Sequence, residues 1–185
     1  EPNQNMQEEA KNNLHTYENF IPINGSAEFS GLGENSVDFI TVAQAFHWFS
    51  VNDFKKECEK ILKDKGKVYL IWNLRDMNEF VNQKSYDIYK KYCPNFKGFG
   101  GGIQKHDTRI RQFFDNKYMY KEFSHPLFYD KDTFISRSLS GTYSLKTGDQ
   151  NYQRYIDELN QLFDEYSVDG VFMMPNKTVV YYGEI

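Results

Sequence analysis

Apolar residues gather in short unbroken runs separated by charged, helix-length segments, and this spacing sets the expected architecture. Val37-Asp-Phe-Ile-Thr-Val42 is rich in β-branched and aromatic residues. It is too short for a helix and too apolar for an exposed edge, so it reads as a strand covered on both faces. Ser50 then offers an N-cap with Asp53 three residues on, opening a charged helix through about Lys63 that places Phe54, Cys58, Ile61 and Leu62 on one face. Lys65-Gly66 supplies the stop, and Lys67-Val-Tyr-Leu-Ile-Trp-Asn73 is a second apolar strand. Residues 37–73 are therefore expected to form one β-α-β crossover with two parallel strands, right-handed by the usual rule.

The same reasoning extends along the chain. Gln4 to Asn13 reads as a polar helix and Asn19 to Ile23 as a short strand ending at Asn24-Gly25. Asn78 to Tyr92, Asp107 to Phe114, Asp132 to Leu139 and Tyr152 to Tyr166 read as helices. Tyr118 to Phe123 reads as a strand that extends past Pro126 to Tyr129, and Thr178 to Tyr182 as the last strand. Pro94 to Gln104, with Gly98-Phe-Gly-Gly-Gly102, is a loop of the kind that carries specificity.

In open α/β sheets, ligands bind beyond the carboxyl ends of the strands. That rule puts Ala43, Gln44, Ala45, Phe46, His47 and Trp48 at the rim of a site. A His here can serve as a general base, or it can simply pack at the start of the next helix. Gly31-Leu-Gly33 and the glycines of 98–102 do not follow a buried strand and open a helix, so neither is a nucleotide fingerprint.

Composition narrows the class. The net charge of −4, with no dense Lys/Arg cluster, argues against nucleic acid as partner. No apolar run approaches the roughly 20 residues of a membrane span, which makes the cytoplasm the expected location. Cys58 and Cys93 are isolated and read as free thiols, and His15, His106 and His125 have no ligand spacing, so no metal is expected.

Asp38-Phe-Ile-Thr-Val-Ala-Gln-Ala-Phe-His-Trp-Phe49, followed by Ile61-Leu-Lys-Asp-Lys-Gly-Lys67, resembles the fourth and fifth strands of small-molecule class I S-adenosylmethionine-dependent methyltransferases, of the ubiquinone-biosynthesis and trans-aconitate kind. Glu1-Pro-Asn-Gln-Asn-Met6 resembles the family's acidic loop after strand two, and Gly25-Ser-Ala-Glu28 its loop after strand three. Arg137-Ser-Leu-Ser140, the 152–170 segment and Lys177-Thr-Val-Val-Tyr-Tyr-Gly183 resemble the family's tail.

The resemblance implies a Rossmann-like α/β fold with a mostly parallel sheet of strand order 3-2-1-4-5-7-6 and an antiparallel last strand, on one domain over 1–185 with a substrate cap within 78–170. It also implies that the first strand, its glycine turn and most of strand two would precede Glu1, so the chain reads as an N-terminally truncated fragment. Strand four then becomes an edge that invites self-association.

Carried onto this chain, the resemblance assigns Glu1 to the ribose hydroxyls, with Asn3 and Met6 in the same loop. It assigns Ser26, Ala27 and Glu28 to adenine, and Ala43, Gln44 and Phe46 to the sulfonium and methionine end. An acceptor pocket would be lined by His47, Trp48, Phe99, Arg137 and Tyr143, with Arg137 suited either to clamp a carboxylate or to a structural ion pair. The implied chemistry is in-line transfer of the methyl of S-adenosylmethionine to a small-molecule nucleophile, leaving S-adenosylhomocysteine. Such transfer depends on alignment more than on a nucleophilic triad. Two alternatives stay open: a non-catalytic interaction module, and a nicotinamide-dependent oxidoreductase on a similar sheet.

Overall fold

The computed structural model describes residues 1–99 and 107–185. Strand β1 (Val37–Ala43) runs parallel to β2 (Leu62–Arg75), with Phe39 opposite Lys67 and Ala43 opposite Ile71. Helix α2 (Val51–Ile61) connects them, burying Phe54, Glu57, Cys58 and Ile61 at helical spacing. The expected crossover is therefore present, although β2 begins directly at Leu62. Between the pairs Val37–Leu62 and Phe39–Lys67 the register shifts, and Lys65 adopts a left-handed φ of 62°. Gly66 is needed at this irregularity, because a Cβ there would lie 2.9 Å from the Lys63 carbonyl oxygen and 3.1 Å from that of Asp38.

The four-stranded sheet has the order β1-β2-β6-β3, with β3 at Met119–Ser124 and β6 at Asn176–Gly183. This is the order the resemblance implies for strands four, five, seven and six. Strand β6 is antiparallel to β2: Thr178 donates to Asn73 Oδ1 at 2.7 Å, while the Tyr69 and Tyr182 rings stack 5.4 Å apart. It is antiparallel to β3 as well, since the His125 N–H reaches the Asn176 carbonyl at 2.8 Å and the other end of β3 lies beside Gly183.

Two expectations are corrected. Strand β1 stands at the sheet edge, as the resemblance implied for strand four, but it is not covered on both faces: Val42 is its one buried residue, while Asp38, Phe39, Thr41 and Ala43 are exposed. An apolar, β-branched run identifies a strand, but its coverage depends on how many neighbours it acquires. Residues 19–23 are not a strand; the segment is irregular and Ile21 is exposed. A strand needs a ladder partner, and none pairs with it among the described residues.

Contacts group the chain into two compact units. The first comprises Glu1–Ile71, the described part of 105–120 and Tyr181–Ile185. Its interior is strongly aromatic: α4 (Thr108–Phe113), capped by the Asp107 carboxylate, brings Phe113 into a stack 5.2 Å from Phe54. The second unit comprises the described part of 72–104 together with Lys121–Val180, and it holds most of the expected cap region. It is built from α3 (Phe80–Tyr92), α5 (Lys131–Leu139), α6 (Tyr152–Tyr166) and the antiparallel pair β4 (Leu127–Tyr129) and β5 (Phe172–Met174).

Strand β4 is separate from β3 rather than its extension, because Pro126 lacks the N–H that would continue the ladder. At the centre of the second unit, the Ser138 carbonyl accepts from the Tyr89 hydroxyl (3.1 Å), the Tyr155 hydroxyl (3.3 Å) and the Ser144 hydroxyl (2.7 Å). These bonds satisfy the polar ends of two tyrosines that are otherwise sealed in the core. Cys58 and Cys93 are both buried free thiols, and among the described residues no helix is long and apolar enough to cross a membrane.

Candidate functional site

The end of β1 leaves regular structure abruptly. Gln44 takes a left-handed φ of 57° while its N–H donates to the Ile71 carbonyl at 2.9 Å. A non-glycine residue in this region is strained, and such strain is concentrated where a chain presents groups to a ligand. A short 3-10 turn follows at Phe46–Trp48. Phe46 turns inward and is completely buried, edge-on to Phe49, Phe54 and Phe113, so its ring belongs to the core and its backbone is what it can offer a ligand. Trp48 is 80% exposed.

His47 sits between these extremes. Its ring lies 4.7 Å from that of Trp48, and its Nδ1 is buried without a hydrogen-bond partner among the described residues. Burial first, and the Arg109 guanidinium second, hold its pKa below the ordinary imidazole value. It is therefore neutral at pH 7. The sign for stability follows: below about pH 6.5 the unfolded chain takes up a proton that the folded chain resists, so acidification destabilises the fold through this group. His47→Gln should lose less stability than wild type between pH 7.5 and 5.5 in urea titrations. It should also leave turnover changed only modestly above neutrality. A loss of several orders of magnitude with cofactor affinity retained would instead make His47 the base.

Ser26, Ala27 and Ala43 line one apolar groove of about 400 Å³ beside β1, together with Val42, Phe54 and Cys58. The turn that carries Ser26 and Ala27 is tight: a Cβ on Gly25 would lie 2.8 Å from the Ser30 carbonyl oxygen. It is anchored to α2 by Glu57, whose carboxylate accepts from the Ser30 N–H (3.0 Å) and hydroxyl (2.6 Å) and pairs with Lys60 at 2.7 Å. Glu28 serves the same helix, accepting from the Ser50 N–H at 3.0 Å, so its carboxylate is engaged at the start of α2.

Glu1, Asn3 and Met6 come together at the start of α1 (Gln4–Leu14) and are not among the residues lining the groove. Asn3 caps the helix by accepting from the Met6 N–H at 3.1 Å, and Glu1 Oε1 accepts from the Asn3 N–H at 2.9 Å. Gln44, Glu28 and Phe46 likewise stand outside the lining.

Phe99, Arg137 and Tyr143, expected at the acceptor, meet in a cavity of about 500 Å³ within the second unit. His47 and Trp48 belong to the first unit. Arg75 and Tyr89 are among the residues of this cavity that the sequence reading missed. The Arg75 guanidinium lies 3.8 Å from the centre of the Phe99 ring and donates from Nη1 to the Ser85 hydroxyl at 2.7 Å. Tyr89 packs its ring against Phe99 and Tyr143 at 5.3 and 5.5 Å. A cation two residues beyond the apolar run of β2 was the available signal, because strand ends of this kind face ligands. The remainder of the expected glycine loop, 100–104, and His106 lie outside the described residues.

Residues 1–70 match the methyltransferase domain family. An uncharacterized methyltransferase-like protein of Schizosaccharomyces pombe is 40% identical over 75 residues, covering 39% of this chain and 29% of the relative. An uncharacterized methyltransferase of Mycobacterium bovis is 39% identical over 56 residues, covering 30% of this chain and 23% of the relative. The chain thus spans less than a third of the length of the curated relatives it matches.

In fold, the chain is similar to a candidate methyltransferase from Bacillus halodurans, with a TM-score of 0.52 at 13% identity over 97% of this chain and 78% of that one. It is similar also to the YcgJ protein of Bacillus subtilis, with a TM-score of 0.51 at 16% identity over 99% and 79% of the two chains. The chain shares the fold of these two structures, and residues 1–70 match a methyltransferase domain. The resemblance read from 37–67 holds.

Proposed function

We propose that this chain belongs to an S-adenosylmethionine-dependent methyltransferase acting on a small molecule. The observation that carries the reading is the convergence of Ser26, Ala27 and Ala43 on one groove that runs along β1, inside the segment that matches the methyltransferase domain. When bound, S-adenosylmethionine supplies an electrophilic methyl carbon on a sulfonium.

The residues present fit that group. Ser26 keeps a hydroxyl hydrogen to donate, since its oxygen only accepts from the Phe29 N–H at 3.1 Å. The groove walls are apolar enough to cover an adenine face. Glu1 Oε2 has no partner among the described residues, which leaves it to accept from ribose hydroxyls. Gln44 leaves strand geometry at the end of β1 while its N–H stays bonded to Ile71, and a carbonyl oxygen at such a strand end favours a cation. The cavity around Phe99 and Tyr143 takes the acceptor. No side chain need act as nucleophile, because the acceptor brings its own and alignment supplies most of the rate.

Calorimetric titration of the whole natural protein with S-adenosylmethionine tests this. Ala43→Trp, which fills the groove from an exposed position, should weaken binding by at least about tenfold while leaving the unfolding midpoint nearly unchanged. Absence of binding by the folded wild type would return the reading to an interaction module. Binding of a nicotinamide dinucleotide in its place would favour the oxidoreductase.

A further inference from the structure

We infer that the cavity of the second unit binds a small molecule through a carboxylate, and that Arg75 is the residue that holds it. The inference rests on reading this cavity as the acceptor site and names the acceptor's chemical class.

The charge around the cavity is the reverse of the protein's own. The chain carries 26 Asp and Glu against 22 Lys and Arg, yet among the described residues three cations, Arg75, Lys97 and Arg137, line this cavity and no Asp or Glu does. Neither arginine has an anionic partner among the described residues. Arg137 donates to the Ser140 hydroxyl at 3.0 Å, and Arg75 is held by the Ser85 hydroxyl. The 100–106 segment contains no Asp or Glu that could supply one. Arg137 is exposed, but Arg75 is drawn partly out of water, and a guanidinium so placed without a counter-charge is costly, so proteins pair such groups. Burial, opposed by Tyr89 and Tyr143, shifts Arg75 below its ordinary pKa, but a guanidinium remains charged throughout the physiological range.

The geometry favours a planar anion. Phe99 lies against its face, and the Ser85 and Tyr89 hydroxyls hold it by hydrogen bonds, so the guanidinium is fixed in place; a guanidinium carries five N–H donors, and a pair of them matches the two oxygens of a carboxylate. Tyr89, Tyr143, Leu127 and Met174 line the same cavity, and they suit an apolar or aromatic body rather than a bare inorganic ion.

The test uses 4-hydroxybenzoate, 4-hydroxybenzamide and inorganic phosphate as probes, titrated at millimolar concentration into the whole natural protein and followed by saturation-transfer NMR and calorimetry. Wild type should bind the benzoate at least about tenfold more tightly than the isosteric amide, with phosphate weaker than the benzoate. Arg75→Met should abolish the preference, and Arg75→Lys should keep part of it. If Arg75→Met does not fold, protection of wild-type Arg75 from phenylglyoxal by the benzoate decides instead. Equal binding of benzoate and amide, no binding of either, tighter binding of phosphate, or a preference that survives Arg75→Met would each overturn the inference. Carboxylate binding in a protein that ignores S-adenosylmethionine would uphold this site while removing the methyltransferase reading. The opposite pattern would remove only this site.

Discussion

Phe46→Ala should lower the unfolding free energy by about 3–5 kcal/mol, the range for emptying a buried aromatic position. Phe46 is wholly enclosed, with Phe113 at 5.4 Å and Phe54 at 6.3 Å between ring centres, so nothing small can move in to fill the space. Urea unfolding of wild type and variant measures the loss, and hydrogen exchange should place it in α2, which carries Phe54. The outcome also decides between two roles. A ring that faces the cofactor would change ligand affinity and leave stability within about 1 kcal/mol; a core ring does the reverse. Because Ala43 and Gln44 precede the turn that Phe46 pins, weaker binding should appear only as a consequence of the loosened fold.

Phe134→Ala should produce a loss of similar size, about 3–5 kcal/mol, in the second unit. Phe134 is fully buried with its ring 4.5 Å from that of Phe172 and 5.6 Å from that of Phe163, so it joins α5 to β5 and α6. Phe134→Leu keeps much of the volume and should cost less than about 1.5 kcal/mol. Arg137 lies three residues on, along the same helix face as Phe134 is anchored from, and it should lose its placement when α5 loosens. Unfolding curves of the two variants check the stability, and equal losses for Ala and Leu would show that packing volume is not what holds this helix.

Several local features were legible before the structure. Helix α6 begins and ends at Tyr152 and Tyr166 as its apolar spacing predicts, with Tyr155, Leu159, Leu162 and Phe163 buried. The β1-α2-β2 crossover was legible for the same reason, since each element declares its period within about ten residues. Other features depended on partners remote in sequence. The 19–23 segment has a strand's composition but no ladder. Pro126 divides a run that reads as continuous. Glu28, expected to meet adenine, is drawn to the Ser50 N–H twenty-two residues away.

What the sequence determined by itself was the alternation of strand and helix, the α/β class and the strand end where a ligand belongs, because hydrophobic period and turn chemistry act between near neighbours. Only the tertiary structure decided that residues 19–23 find no ladder partner among the described residues, that Phe46 faces the core rather than the rim, and that Arg75 meets Phe99 and Tyr89 in a cavity lined by no described acid. Those outcomes turn on which surfaces come into contact across long stretches of chain, and burial and unpaired charge do not exist as properties until they do.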